Sequence, residues 1–422
     1  MAEWRNWSGS VTAAPERIAS PNTEAELSAL VAGARRVRVA GAGHSFMPIC
    51  ETDGLLLSLS EMEGGIEVSA DRRSVWAPAG MSIRDLTKAM WDEGLSLANQ
   101  GDINKQAIAG ALATATHGTG RTLGSLATQA SAYRLVLADG SVVECDAERE
   151  GDLFQAQRVS LGMLGVMSRV KLNVMPAYRL KETNRRRPLK EVLDGWDAIA
   201  DEHRHAEFWI FPYSEHVIFK TLEVVEEGEA GEDVSSDAVF QAVCDLVALS
   251  PRFAPTLQRI LTRAAGRLVP PRAGPSWTIF PSERAVRFEE MEYEIPEANG
   301  ADALRAAIKC VRDNRFPIIF PFEYRTVAGD DFWLSPMHAG PCVSISFHQY
   351  AKMDWRPAFA AVEQVFRAHG GRPHWAKRHT LTSADVLALY PNAARWGAVR
   401  KRVDPAGKFM NAHLRDLFAF SL

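Results

Sequence analysis

Two short stretches constrain the fold of this chain more than any other feature. The first, Gly41-Ala42-Gly43-His44-Ser45-Phe46, follows a short alternating run in which Val37 and Val39 are separated by Arg38. The second is IAGALATATHGTGRTLG, Ile108 to Gly124, in which Gly110, Ala111, Ala113, Thr114 and Ala115 precede His117-Gly118-Thr119-Gly120. Small residues let backbone N–H groups come close to a pyrophosphate or a flat ring. Neither stretch is a dinucleotide fingerprint. Phe46 stands where a third glycine belongs, no helix of βαβ rhythm follows, and no acidic residue closes a second strand at the right distance. Two glycine loops, each carrying a histidine, point instead to a mixed domain that holds a flat, anionic ligand against its backbone.

The elements around these loops fit a mixed domain. Ser20 or Asn22-Thr23 caps a helix that has Glu24 and Glu26 in its first turn and runs to about Ala34. GLLLSLSEM reads as a strand, IEVSADRRSVWAPAG as two strands about an Asp-Arg turn, and MSIRDLTKAMWDEGLSL as an amphipathic helix capped by Ser82. QASAYRLVLADGSVVECDA is a hairpin around Asp139-Gly140, and MLGVMSRVKLNVMP a strand ending at Pro176. The polar stretch KETNRRRPLKEV suits a domain boundary. Beyond it, HAEFWIFP, HVIFKTLEVV, VRFEEMEYEIP, FPIIFPFEYRTV and CVSISFHQY read as strands, with helices over Ala238–Ala265 and Asn299–Asn314. That is an antiparallel sheet with helices on one face. Gly228–Asp237 reads as an acidic flexible loop, and the C-terminal stretch as helices broken by a Pro-Gly turn.

A chain of 422 residues exceeds one ordinary core, so two domains are expected. We divide it into residues 1–176, 177–375 and a C-terminal segment 376–422 that returns to the first part. Net charge is −4 and no basic block stands out beyond Arg185-Arg186-Arg187, which argues against nucleic acid or an anionic membrane as partner. No apolar run is long enough to span a bilayer, and the N-terminal MAEWRNWSGS has no apolar h-region, so a cytoplasmic protein is expected. The five cysteines are scattered without metal-ligand spacing, and no metal site is expected.

Charged residues in apolar surroundings mark the chemistry. Glu323 and Arg325 sit at i and i+2 in FPIIFPFEYRTV and share one side of a strand. Buried charge needs a partner, so the two either pair with each other or face a ligand. Ser346 and His348 repeat the spacing in VSISFHQY. A core histidine satisfied by its neighbours is the alternative for His348. Lys377, in RPHWAKRHT, follows aromatic and small residues and can bury its stem while aiming its ammonium inward.

Taken together, Gly41–Phe46 and ATATHGTG resemble the flavin domain of the vanillyl-alcohol-oxidase/p-cresol-methylhydroxylase superfamily. WRNWSG, SLGMLGV, EMEYEIP, FEYRTVAGDDFWLSP, RPHWAKRHT and DPAGKFMNAHLRDLF resemble its sugar-oxidising branch, the aldonolactone oxidoreductases and alditol oxidases. The resemblance runs nearly end to end. It implies an α+β flavoprotein of two domains: a PCMH-type FAD-binding domain, and a substrate-binding cap built on an antiparallel sheet with helices on one face. It implies FAD bound covalently through His44, whose ring nitrogen is nucleophilic near neutral pH. Gly41, Ala42, Gly43, Ser45, Gly110, Ala111, Thr114, His117, Gly118 and Val166 would complete the cofactor site.

By the same resemblance, Lys377 stabilises the reduced flavin, and Glu323, Arg325, Ser346 and His348 contact substrate. Glu323, Lys377 or solvent would take the proton. The reaction implied is hydride removal from a hydroxyl-bearing sugar carbon, with oxygen or another acceptor reoxidising the flavin. Alditol oxidases carry a serine where this chain has Ala111, as lactone-type members do, so an aldono-1,4-lactone is the expected substrate and an alditol such as xylitol or sorbitol the alternative. A flavin-free carbohydrate-binding protein on the same scaffold is a third reading. A flavin amine or phenol oxidase suits the Glu–Arg pair less well.

Overall fold

The computed structural model describes residues 3–227, 237–268, 271–282 and 284–422. The acidic stretch 228–236 lies outside the described residues. In the N-terminal part the helix caps fall where short polar side chains precede periodic apolar ones. Thr23 accepts from the Glu26 N–H at the start of helix Glu24–Gly33, and Ser82 accepts from the Asp85 N–H at the start of Ile83–Asp92. The hairpin Ala130–Val136/Val142–Asp146 joins Val166–Asn173, Ser74–Pro78 and Glu67–Val68 in a five-stranded antiparallel sheet. Arg17–Ala19, Leu55–Leu57 and Val37–Val39 make a separate three-stranded parallel sheet. GLLLSLSEM therefore contributes a strand of only three residues.

The C-terminal segment is part of this N-terminal body. Helices Ser383–Leu389, Ala393–Val403 and Ala412–Leu417 place Val386, Trp396 and Leu414 in one apolar cluster with Leu86, Leu135 and Phe154. Arg38 pins the arrangement. Its buried guanidinium donates to the carbonyls of Ile49 (2.8 Å), Leu161 (2.7 Å), Gly162 (3.0 Å) and Phe409. A charge on what reads as the polar side of a short strand is buried because three distant segments supply its acceptors.

The second part is an eight-stranded sheet, antiparallel throughout. Its order is Arg272–Pro275, Arg179–Pro188, His216–Val225, His205–Ile210, Phe322–Val327, Cys342–Tyr350, Phe288–Pro296 and Arg372–Pro373. Side chains alternate across it. One face carries Phe208, Phe219, Met291, Tyr293, Phe322, Tyr324, Ile345 and Phe347, covered by Leu304, Ala307 and Ile308 of helix Glu297–Asp313 and by Phe359 and Val362 of Arg356–Ala368. Phe208 stacks on Tyr324 at 4.7 Å and Phe322 on Phe347 at 4.6 Å. The other face is charged and is described below. At its edge, Cys244, Val247 and Ala254 cluster with Phe46, Phe288 and Tyr350.

Three boundaries differ from the sequence reading. KETNRRRPLKEV, a stretch whose polarity suits a domain boundary, lies within the second sheet: Arg179–Pro188 is a ten-residue strand paired along its whole length with His216–Val225. The backbone supplies the ladder bonds, and most of the polar side chains are at least partly exposed, so polarity does not oppose the strand. The strand expected from Phe316 begins only at Phe322, because Pro317 and Pro321 cannot donate to a ladder. The single helix expected over Ala238–Ala265 is two, Asp237–Leu249 and Ala254–Leu268, broken at Ser250-Pro251.

Candidate active site

The two glycine loops meet. A Cβ on Gly41 would lie 2.9 Å from Cβ of Ala107, so the loops pack in contact at that position. Gly43 takes φ +71° against Asn6 and Trp4, a conformation that favours glycine. Together they line a cavity of about 670 Å³. Gly41, Ala42, Gly43, His44, Ser45, Gly110, Ala111, Thr114 and Val166 all border it, as do Gly80, Lys105 and Ala376. The successive amide N–H groups from Gly41 to Ser45 have no protein acceptor among the described residues. A Cβ on Gly110, which borders the cavity, would meet open space, so a side chain there can extend over the cavity. These are the properties of a cradle for an anionic, flat ligand.

His44 stands at the end of this cradle, its ring 5.5 Å from that of Trp7. Burial, helped by the nearby Lys377 and Lys105 ammonium groups, lowers its pKa to about 4. The imidazole is therefore neutral, with a nucleophilic nitrogen, across the physiological range.

Lys377 reaches the site from the C-terminal side. The Phe46 N–H donates to the Ala376 carbonyl (2.7 Å), which ties the HWAK segment to the His44 loop. The Lys377 ammonium lies 5.3 Å over the Phe46 ring and is paired with Glu290. His348 contacts the same carboxylate at 3.3 Å. Burial raises the Glu290 pKa, but Lys377 and His348 more than offset it and leave it at about 2.

Glu323 and Arg325 do share a face, as expected, yet they are not each other's main partner. The nearest oxygen of Glu323 is 3.9 Å from the Arg325 guanidinium, whereas Glu292 accepts from it at 2.7 Å. Ser346 donates to Glu323 Oε2 at 3.2 Å, and Glu323 Oε1 is buried without a hydrogen-bond partner. Beside Glu323 lie Asp102 and Glu207, with one carboxylate oxygen of each of the three within 4.8 Å of the others. Lys220 pairs with Glu207 at 2.9 Å. Burial, against the pull of Lys220 and with the push of Asp102 and Glu323, raises the Glu207 pKa to about 7.

Two residues expected at the cofactor, His117 and Gly118, do not border the cavity. His117 turns to the charged sheet instead. Its Nδ1 is 2.8 Å from the Gly118 carbonyl, and its Nε2 is 3.0 Å from Glu292 and 3.3 Å from Glu294. The signal for a cofactor contact was the glycine-rich setting; the backbone of that loop instead joins the sheet, where Gly120 N–H donates to Thr326 O at 2.8 Å.

Comparison with known proteins decides the family. Residues 170–417 match the D-arabinono-1,4-lactone oxidase family, and residues 15–146 match an FAD binding domain. The chain belongs to the D-arabinono-1,4-lactone oxidase family. It is 38% identical over 98% of both chains to an L-gulono-1,4-lactone dehydrogenase of Mycobacterium tuberculosis. It is 31% identical to the L-gulonolactone oxidase of Mus musculus, over 99% of this chain and 98% of that one. It is also 31% identical, over 98% of each, to an alditol oxidase of a Streptomyces species. In fold it is similar to cholesterol oxidase from B. sterolicum, with a TM-score of 0.85 at 18% identity over 99% of this chain and 96% of that chain. An FAD-binding domain followed by an antiparallel-sheet domain is thus the arrangement of this flavoprotein oxidoreductase. FAD fits the cradle, because unpaired amides and the open Gly110 position suit a pyrophosphate and a ring.

The charged face of the sheet holds buried residues that lie in no recognisable motif. Glu290, Glu292 and Glu294 alternate with Met291, Tyr293 and Ile295 in FEEMEYEIP and share the charged face of the sheet, Glu290 against Lys377 and the other two against His117. Glu207 and Lys220 are likewise buried charges inside largely apolar strands. The signal was available: it is the one that marked Glu323 and Arg325. Among the described residues no helix is long and apolar enough to cross a membrane.

Proposed function

We propose that the protein oxidises the hydroxyl-bearing carbon of an aldono-1,4-lactone, using FAD tethered to His44. One observation carries the reading: the glycine-loop cavity, with a neutral histidine at its end, is joined through Phe46 and Lys377 to a face of buried, paired charge. FAD, when bound, supplies the two-electron acceptor. Gly41 to Ser45, Gly110, Ala111, Thr114 and Val166 hold it. Arg325 presents planar paired donors that orient adjacent ring oxygens. Glu323, with a buried oxygen lacking a donor, receives the hydroxyl proton. Ser346 fixes that carboxylate, and His348 with Glu290 fixes Lys377, whose charge offsets the negative charge that develops nearby. We read residues 1–176 as the FAD domain, 177–375 as the substrate domain and 376–422 as returning to the FAD site. Oxygen or another acceptor completes turnover. The five cysteines are all unpaired, as suits the reducing cytosol.

An alditol is the second reading, favoured by the similarity to the Streptomyces enzyme. Ala111, fully buried at the cavity, argues against it. An open-chain polyol freezes several torsions on binding and finds no hydroxyl at position 111 to pair with. A missing partner of about 1–3 kcal/mol is a tenfold to hundredfold preference. Turnover of a panel of aldono-1,4-lactones, xylitol and sorbitol, with oxygen and with a dye, tests this. The best lactone is expected to exceed either alditol in kcat/KM by at least about tenfold, and Ala111→Ser to narrow the gap. Preference for xylitol or sorbitol in the unmodified protein would transfer the assignment to the alditol reading.

A further inference from the structure

His117 has acceptors on both sides of its ring. Nδ1 faces the Gly118 carbonyl at 2.8 Å, and Nε2 faces carboxylate oxygens of Glu292 and Glu294 at 3.0 and 3.3 Å. The Ser344 hydroxyl is 3.4 Å from Nε2, and the His374 ring lies 6.0 Å away, centre to centre. A neutral imidazole carries one N–H and would leave one of its two nitrogens facing an acceptor without a proton. Only the imidazolium satisfies both sides. The environment agrees in direction: burial opposes the charge, but the two carboxylates raise the His117 pKa to about 10.

Glu292 thus lies between two cations, accepting from Arg325 with one oxygen and contacting His117 with the other. His117, Glu292, Glu294 and Arg325 are all buried, and their formal charges cancel. Arg325 Nε has no hydrogen-bond partner of its own, so the contact through Nη2 is what fixes the guanidinium. His117 comes from the glycine-rich loop and Arg325 from the substrate sheet, with Glu292 bridging them from another strand of the same sheet.

We infer that His117 and Glu292 are positioning residues for substrate recognition: His117 holds Glu292, and Glu292 aims Arg325. The inference rests on the reading of Arg325 as a substrate group. It predicts a loss in KM rather than in the chemical step. Removing either residue leaves FAD and Lys377 in place but lets the guanidinium turn away from its binding orientation.

The test is steady-state and stopped-flow kinetics of the FAD-loaded full-length protein with its best lactone, for Glu292→Gln, His117→Asn, the double variant and Arg325→Ala. Flavin content and Tm are measured alongside. KM is expected to rise at least about tenfold in each single variant, the scale of one buried charged hydrogen bond, while the limiting rate of flavin reduction changes less than about threefold. The double variant is expected to cost no more than the worse single one, because both act through Arg325. A purely structural role would lower Tm and flavin content with KM unchanged, and that result overturns the inference. So would additive losses in the double variant. If Arg325→Ala raises KM but the other variants do not, the coupling alone fails. If Arg325→Ala leaves KM unchanged, the substrate role of Arg325 fails and the inference fails with it.

Discussion

The two sides of the site are built on different physics. The glycine-loop side binds through backbone: free amides, a left-handed Gly43, an open position at Gly110, and a histidine kept neutral by burial. The sheet side works through buried charge, in which Glu290, Glu292, Glu323 and Glu207 are each set against Lys377, Arg325, His348, His117 or Lys220. The contrast teaches where each side is fragile. Backbone sites fail by steric intrusion, with little dependence on charge. Buried ion pairs fail when one member is removed, because the other is left uncompensated.

Lys377→Met breaks the charged side most severely. It keeps the side-chain volume and removes the ammonium, so flavin reduction in stopped flow is expected to slow by about a hundredfold or more. Substrate affinity should change less. An unaltered reduction rate would remove Lys377 from the chemistry.

The backbone side is tested by Gly110→Leu. The added side chain meets open space at the cavity's edge, so the FAD content of purified protein is expected to fall several-fold while Tm of the flavin-free form is little changed. Full FAD occupancy in this variant would mean that the cofactor does not pass over Gly110.

A smaller effect separates the two sides by pH. The folded-state pKa of His117, about 10, lies above its ordinary value of 6.5. The folded protein then holds a proton that the unfolded chain releases, so this contribution is complete below pH 6.5 and is lost as pH rises toward 10. The urea midpoint of the unmodified protein is expected to fall between pH 7 and pH 9.5, by an amount on the order of a few kcal/mol in unfolding free energy. In His117→Asn that part of the fall should vanish. His44→Ala should not alter the slope in this window, because His44 is neutral throughout it. Equal slopes in His117→Asn and the unmodified protein would contradict the imidazolium.

How far the sequence could be read follows the same division. The Gly-x-Gly-His-Ser loop and the small-residue run before Thr114 were legible because close backbone approach demands particular residues at particular positions. The caps at Thr23 and Ser82 and the turn at Asp139-Gly140 were legible for the same local reason. The charged face was legible only in part. Glu323, Arg325 and Lys377 stood out as charges in apolar segments, but their partners come from strands far away in sequence. No local pattern says that Arg325 meets Glu292 rather than Glu323, or that His117 leaves the glycine loop for the sheet. The polar strand Arg179–Pro188 is hidden in the sequence for a related reason: its pairing with His216–Val225, not its composition, makes it a strand.

The account turns on His44, the residue at the end of the backbone-built cavity that we propose carries the flavin. Purified protein precipitated with acid, digested with trypsin and analysed by mass spectrometry decides the matter. The precipitate is expected to stay yellow, and the peptide containing His44 to carry the mass of the flavin. Flavin released entirely into the acid supernatant from fully active protein, with the His44 peptide at its unmodified mass, would contradict the account.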